Sequence, residues 1–500
     1  MVTSANRAPG IPSMVRQRQL MTGLVFMGLV SSVIGSLGAP LITPVAETYG
    51  VSLAAAQWTL TVTLLAGAVA TPLLGRLGSG PHRRTAILGG LAVSIAGGVL
   101  TLMPAGPAGF ALLVAGRGAQ GVGWGLTALL MATARDHLGE RANDAIAALG
   151  VVATAGVGVG YPIAGLLGQV SGVRGAYAAG LVFTMAAFVV AWRIIPAGVA
   201  GTEHPAPRRA MSSRTPSVDW LGALLLSAGL VGVLLAMSLP RLWISAPAVG
   251  CAVLVASLGL LAAWARVEVR TPRPVVDLSA LRHPAVLGFN VITAAVAIGI
   301  YILFTVVTRY AQTPRIAGYG FGLDGFEAGL VIVPFSLAGF MTRRAATRMG
   351  RRAGPYVPLA ASGLIMVAAC CLFAVNRGNV LLLATSMTIL GAGVGGFWST
   401  LPPAIAAVTP RAETAPALSF NQVVRYTGFS VGSAISALVL ASFTPSASQF
   451  PGQAGYTVTA WIAAGIDAVC VALVLAAAVA ARRAAARSTA EQALVLGQSS

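Results

Sequence analysis

The chain has 500 residues, 56% of them hydrophobic and only 9% charged, with a mean hydropathy of +0.83. Soluble domains carry roughly 25% charged residues, so this composition excludes a soluble globular protein and describes one that sits in a membrane. The net charge is +19 and every one of the 32 basic residues is arginine; they cluster between long apolar runs and form no basic domain, which argues against nucleic acid and for the anionic cytoplasmic leaflet as their partner.

Residues 1–19 form a polar tail with Arg7, Arg16 and Arg18, and no small-residue cleavage site ends the first apolar run. An uncleaved first span is expected. Runs of about 20 residues, the length that crosses a bilayer, then recur at 20–44, 55–75, 85–104, 109–131, 146–168, 176–196, 219–238, 246–265, 285–308, 326–345, 355–375, 379–402, 416–443 and 456–481. The expectation is an all-α integral membrane protein of fourteen spans.

The arginines test that count. With fourteen spans, 25 arginines fall on the side of the termini and five, Arg174, Arg241, Arg309, Arg315 and Arg377, on the other. Arg117 and Arg425 lie inside spans. Such an asymmetry is what the positive-inside rule predicts, with both termini cytoplasmic, in a cell (plasma) membrane.

Two polar stretches divide the chain. After the tail, residues 20–196 hold six spans and 197–218 form a linker rich in Pro, Ser and Arg. Residues 219–265 hold two extra spans, 266–284 a second cytoplasmic connector, 285–482 six more spans, and 483–500 a second tail. The loops GRLGSGPHRR and TRRAATRMGRR occupy corresponding places in the two halves, the mark of an internal repeat.

The fourth span reads LLVAGRGAQGVGWG over 112–125 and places Arg117 about eight residues in. A guanidinium at that depth costs at least ~2.5–3.5 kcal/mol on insertion scales, so it needs a partner or a wet cavity; the alternative is snorkelling to the headgroups. Arg117, Gln120, Gly121, Trp124 and Ala128 share a helical face. In the fifth span, TAGVGVGYPIAGLLG, the residues Thr154, Gly158, Pro162 and Gly165 fall near one face. Pro162 cannot donate to the carbonyl of Gly158, and the glycines admit a second helix closely. A rocking seam and a simple packing helix both fit.

Of the thirteen acidic residues, Asp467 lies deep inside a span. A carboxyl there either exchanges a proton or bonds to a neighbouring helix. Glu327 and Asp324 flank the start of the tenth span, where Glu327 faces a cavity or caps the helix. Arg425 has Asn421 one turn before it, and Glu327 or Asp467 is its conceivable acidic partner. Trp124, Tyr161, Phe397, Trp398, Phe420 and Tyr426 either line an amphipathic cavity or pack. Cys251, Cys370, Cys371 and Cys470 have no CxxC or metal-ligand spacing. No GxxxxGK[ST] occurs, so ATP is not the expected driver; no cofactor, metal or enzymatic activity is expected.

In these residues the chain resembles the fourteen-helix drug:proton antiporters of the major facilitator superfamily. Arg117-x-x-Gln120-Gly121-x-Gly123 is similar to the family's fourth-helix signature, whose arginine is associated with proton coupling. Gly158-x-Gly160-Tyr161-Pro162-x-x-Gly165 resembles the fifth-helix signature associated with exporters. Asp219-Trp220-Leu221-Gly222 looks like the opening of the seventh helix, Gly318-Tyr319-Gly320-Phe321-Gly322 with Ala328-Gly329-Leu330 and Pro334 like the start of the tenth, and Asn421-x-x-x-Arg425-x-x-Gly428 like the thirteenth. Two positions depart from the pattern. The loop after the second helix keeps Gly75, Arg76, Leu77, Arg83 and Arg84 but has Ser79 and His82, so the acid that would latch the halves is missing. Ser31 stands where relatives often carry an aspartate.

The resemblance implies two six-helix bundles plus two extra helices. The implied activity is proton-driven efflux of lipophilic or amphipathic small molecules by a monomer, through alternating access. An uptake carrier or uniporter, and a non-transporting sensor or scaffold, are the alternatives. It further implies proton-coupling roles among Arg117, Asp467, Glu327 and Arg425, cavity roles for Gln120, Trp124, Tyr161, Asn421 and Trp398, and gating or packing roles for Gly121, Gly158, Pro162, Gly165, Arg83 and Arg84.

Overall fold

The computed structural model describes the chain from Met14 to Gly497, apart from residues 39, 52, 57, 79–81, 105–106, 197–219, 239–242, 244, 272–283, 411–412 and 446–449. Most of the 1–19 tail, the 197–218 linker, Ser79, Asp219, most of the 266–284 connector and the Thr154 side chain lie outside the described residues.

Among the described residues all regular structure is helical. The first half holds α1 (Met14–Ser36), α2 (Ile42–Tyr49), α3 (Leu53–Ala56), α4 (Trp58–Leu77), α5 (Arg83–Leu100), α6 (Pro107–Gly121), α7 (Leu126–His137) and α8 (Ala142–Ile194). Two further helices, α9 (Trp220–Ser238) and α10 (Pro247–Arg270), follow. The second half holds α11 (Pro284–Gln312), α12 (Gly325–Ala353), α13 (Tyr356–Val375), α14 (Val380–Val408), α15 (Thr414–Ser442) and α16 (Gln453–Gly497).

Eleven helices among the described residues are long and apolar enough to cross a membrane. The difference from the fourteen expected lies in three places. The fourth expected span is divided between α6 and α7 by a short 3-10 segment, Val122–Gly125. The fifth and sixth are joined in α8, and α9 offers a shorter apolar stretch, Leu221–Val233.

The joint in α8 is Gly172, whose φ of 68° is a left-handed conformation that favours glycine. Side-chain neighbours show that the chain reverses there. Space at Gly28, filled by Leu149, and then Gly156 against Ser32, Gly160 against Ser36 and Gly168 against Leu41 follow α1 upward. Beyond the joint, Gly180 meets Leu37 and Gly23 meets Val190 and Ile194, which follows α1 back down.

Helix ends differ from the expected spans for local reasons. The first apolar run stops at Ser36, not 44, because Pro40 cannot continue the ladder and disfavours helix before it. At the other end α16 runs on to Gly497 through an Ala- and Arg-rich stretch of strong helix formers. Asp324 caps α12 by accepting from the N–H groups of Phe326 and Glu327, both at 2.8 Å.

Within lipid there is no hydrophobic drive between helices, so small residues set the packing. A Cβ on Gly121 would collide with the carbonyl oxygen of Thr63, which brings the α4 and α6 backbones together. The same device joins the two halves. A Cβ on Gly329 of α12 would stand 2.9 Å from Pro162 Cα, one on Gly165 would stand 3.2 Å from the Phe326 backbone, and one on Gly158 would meet the Ser336 side chain. These contacts make α8 and α12 one seam. The second seam runs between α4 and α15, where Gly75 admits Ser419. The pair α9–α10 leans on the edge of that second seam, with Ala223, Leu226 and Leu230 packed beside Leu73, Phe420 and Val423.

Candidate functional site

Arg117 is wholly buried, and its guanidinium is enclosed by acceptors. Nη1 donates to the carbonyl of Ile34 at 3.0 Å and to Gln120 Oε1 at 2.8 Å, Nε to the carbonyl of Thr59 at 3.2 Å, and Nη2 to that of Gly35 at 3.5 Å. Ile34 and Gly35 lie in the last turn of α1, where carbonyls have no partner within the helix and a cation is favoured. The Tyr177 ring lies 5.5 Å below the guanidinium. Arg117 thus ties α1 to α4 and α6, and among the described residues no carboxylate pairs with it.

Gln120 Oε1 is occupied by this bond, and Gly121 gives the helix its close approach to α4. Trp124 points instead toward the middle of the molecule. Its ring fills the space left by Gly35 and lies 5.3 Å from the Tyr426 ring of α15. Between the halves there is a cavity of about 50 Å³. The first half lines it with Gly28, Ser31, Ser32, Trp124, Thr127 and Leu149, and the second with Arg425, Tyr426 and Phe429.

Arg425 is 4% exposed. Its guanidinium carbon stands 4.4 Å from the Trp398 ring centre and 5.5 Å from that of Phe429. Nη1 donates to Gln422 at 3.3 Å, and Nε has no hydrogen-bond partner among the described residues. Asn421, one turn earlier, faces away from the cavity and donates to Asn290 at 3.0 Å and to Thr293 at 2.8 Å on α11. Trp398 is 1% exposed beneath Arg425. Tyr161 is buried on α8.

The two acids considered as partners for Arg425 lie elsewhere. Glu327 is exposed and closes a capping box, its Oε2 accepting from the Asp324 N–H at 3.1 Å. Asp467 is wholly buried between α16, α11 and α13. It stands against Gly299, accepts from the Cys370 thiol at 3.6 Å, and leaves Oδ1 without a partner among the described residues.

Sequence reasoning missed several residues here. Ser31 was notable only as an absent acid, yet it lines the cavity. Asp136, at the end of α7, forms an ion pair with Arg83, so a carboxylate just past the fourth expected span meets the loop arginine although Ser79 is not an acid. Arg84 donates to the Trp192 carbonyl at 2.7 Å. Clasps between the halves were also unread. Arg135 donates to the Thr409 carbonyl at 2.8 Å and to the Thr414 hydroxyl, and Arg351 pairs with Asp144 at 2.6 Å. Only the arginine clusters, read earlier as a topology signal, pointed to them.

At the opposite end Gln169 approaches Asp324 at 3.5 Å. A second, open cavity of about 570 Å³ lies beside Tyr319, Asn376 and Arg377. Arg377 is spent on the end of α13, donating to the carbonyls of Phe373 at 3.2 Å and Ala374 at 3.1 Å and to Thr457 at 2.7 Å.

A helical, multi-span chain whose halves meet at paired seams around a central cavity agrees with what one family model describes, the Major Facilitator Superfamily, which matches residues 24–433. The chain belongs to the Major Facilitator Superfamily. It is 27% identical over 411 residues to a Multidrug resistance protein B homolog of Mycobacterium tuberculosis (strain H37Rv), across 78% of this chain and 70% of that protein. To an uncharacterized MFS-type transporter of the same strain it is 25% identical over 402 residues, across 78% of this chain and 55% of that one, about half its length. Among solved structures it is similar to the human organic anion transporter MFSD10 (TETRAN), with a TM-score of 0.64 and 16% identity over 92% of this chain and 99% of the other. The POT family transporter PepTSo gives a TM-score of 0.56 and 16% identity over 93% and 98%. These likenesses show the fold. As a Major Facilitator protein the chain is a multi-span membrane transporter.

Proposed function

We propose that this transporter is a proton-driven exporter of lipophilic or amphipathic small molecules, set in the plasma membrane as a monomer with both termini cytoplasmic. The observation that carries the alternating-access part of the reading is the size of the central cavity. At about 50 Å³ it holds a few waters, whereas sites for drug-sized ligands run to roughly 300–1,000 Å³. Cargo therefore enters only when the halves part, and the seams lie where rocking of 20–196 against 285–482 would part them. Export as the direction is supported by the name of the Multidrug resistance protein B homolog. Asp467 is our choice for the proton carrier. It is an acid buried in mid-span without a basic partner among the described residues, and it touches α11, the helix that packs on α15 beside the cavity. Arg117 then acts as a clasp that holds α1, α4 and α6 together.

One observation favours a second reading, a uniporter on the same fold. Among the described residues none that lines the central cavity is a carboxylate, so substrate and proton do not compete for one acid there. A single experiment separates the two readings. Cells with and without the protein are challenged with a panel of amphipathic compounds, and accumulation is measured with and without a protonophore. A proton-driven exporter lowers accumulation and the protonophore restores it. Unchanged export after the gradient is dissipated, with cellular ATP held constant, overturns the coupling.

A further inference from the structure

The two intramembrane arginines are satisfied in opposite ways, and the contrast identifies what one of them awaits. Arg117 donates to four acceptors. Arg425 is almost as deeply buried but gives one hydrogen bond, to Gln422, and its Nε has none among the described residues. Its contacts with Trp398 and Phe429 use ring faces. Those contacts stabilise the charge but accept none of the in-plane N–H groups, of which a guanidinium has five in a fork that fits a carboxylate or sulfonate. This guanidinium lines the central cavity, and among the described residues no acid lines it with Arg425. Trp124 and Tyr426 supply a wall of aromatic surface beside it, their rings 5.3 Å apart.

Resting on the transport reading above, we infer that the cargo is an amphipathic organic anion: a flat aromatic or apolar body bearing a carboxylate or sulfonate that pairs with Arg425. Once the halves part to admit it, the body lies against Tyr426 and Phe429, which line the cavity from the same helix as Arg425. The same cavity discriminates against cationic compounds, because nothing lining it is negative and Arg425 repels them.

The test uses three probes on one ring system, none of which changes charge near neutral pH: 2-naphthalenesulfonate, 2-naphthalenesulfonamide and 2-naphthyltrimethylammonium. Binding to the full-length purified protein is measured by calorimetry. The sulfonate is expected to bind at least about tenfold tighter than either of the others, the selectivity of one charge-assisted pair. Arg425→Gln removes that preference and Arg425→Lys keeps anion over cation. Equal binding of the three, tighter binding of the ammonium compound, no binding of any, or a preference that survives Arg425→Gln overturns the inference. The wild-type comparison stands even where a variant fails to fold. Movement of the same probes in proteoliposomes separates this inference from the transport reading. A sulfonate bound through Arg425 but never moved sinks the transport reading alone, whereas export of the ammonium compound without sulfonate binding sinks the anion alone.

Discussion

Arg117 Nη1 donates to Gln120 Oε1 at 2.8 Å, and the same nitrogen reaches the Ile34 carbonyl at the end of α1. Three residues apart on one helical face, the pair converts a costly intramembrane charge into a junction of three helices. Removing it leaves buried carbonyls unpaired, at roughly 1–3 kcal/mol each. Arg117→Gln is therefore expected to lower the melting temperature in detergent by several degrees. Arg117→Lys recovers only part of this, since an ammonium cannot span the same acceptors. Variants that melt like the parent while losing transport would assign Arg117 to proton coupling and not to the clasp.

The α8–α12 seam makes a sharper prediction. A Cβ at Gly329 would stand 2.9 Å from Pro162 Cα, a backbone atom that cannot rotate away. Overpacking of this kind costs about 1–3 kcal/mol, so Gly329→Ala should cut transport several-fold. Gly89→Ala is the control, because nothing lies within 4 Å of its Cβ position. Equal activity in the two variants would remove the seam from the mechanism.

Asp144 and Arg351 join the halves at 2.6 Å. With the four native cysteines replaced by serine, Asp144→Cys with Arg351→Cys should be bridged by a bifunctional methanethiosulfonate cross-linker long enough to replace the Arg351 side chain. Transport should stop on cross-linking and return on reduction. Unimpeded transport by the cross-linked protein would show that the halves do not part at this end.

Asp467→Asn keeps the size of the side chain and its place against Gly299 while removing exchange of a proton. The expected result is a folded protein whose substrate movement no longer responds to a pH gradient. Retained coupling would pass the role to another group.

The sequence made the helical, membrane-spanning nature of the chain legible, because hydropathy acts over whole spans. The shared face of Arg117, Gln120, Gly121 and Trp124 was legible too, since helical periodicity is local. What each side chain meets was not. Arg117 finds carbonyls 58 and 83 residues away, and Arg83 finds Asp136, 53 residues on, distances at which only the fold decides. Glu327 is the instructive case. Cavity acid and helix cap were equally open from spacing, and the bond from the Asp324 N–H to Glu327 Oε2 places it in a capping box.

The most direct test of the account is reconstitution of the purified protein in liposomes with an acidic lumen, using a compound against which it protects cells. Proton-driven exchange predicts accumulation of that compound above its outside concentration, collapsing when the gradient is discharged. Equilibration to the outside concentration alone, at a rate indifferent to the gradient, would contradict it.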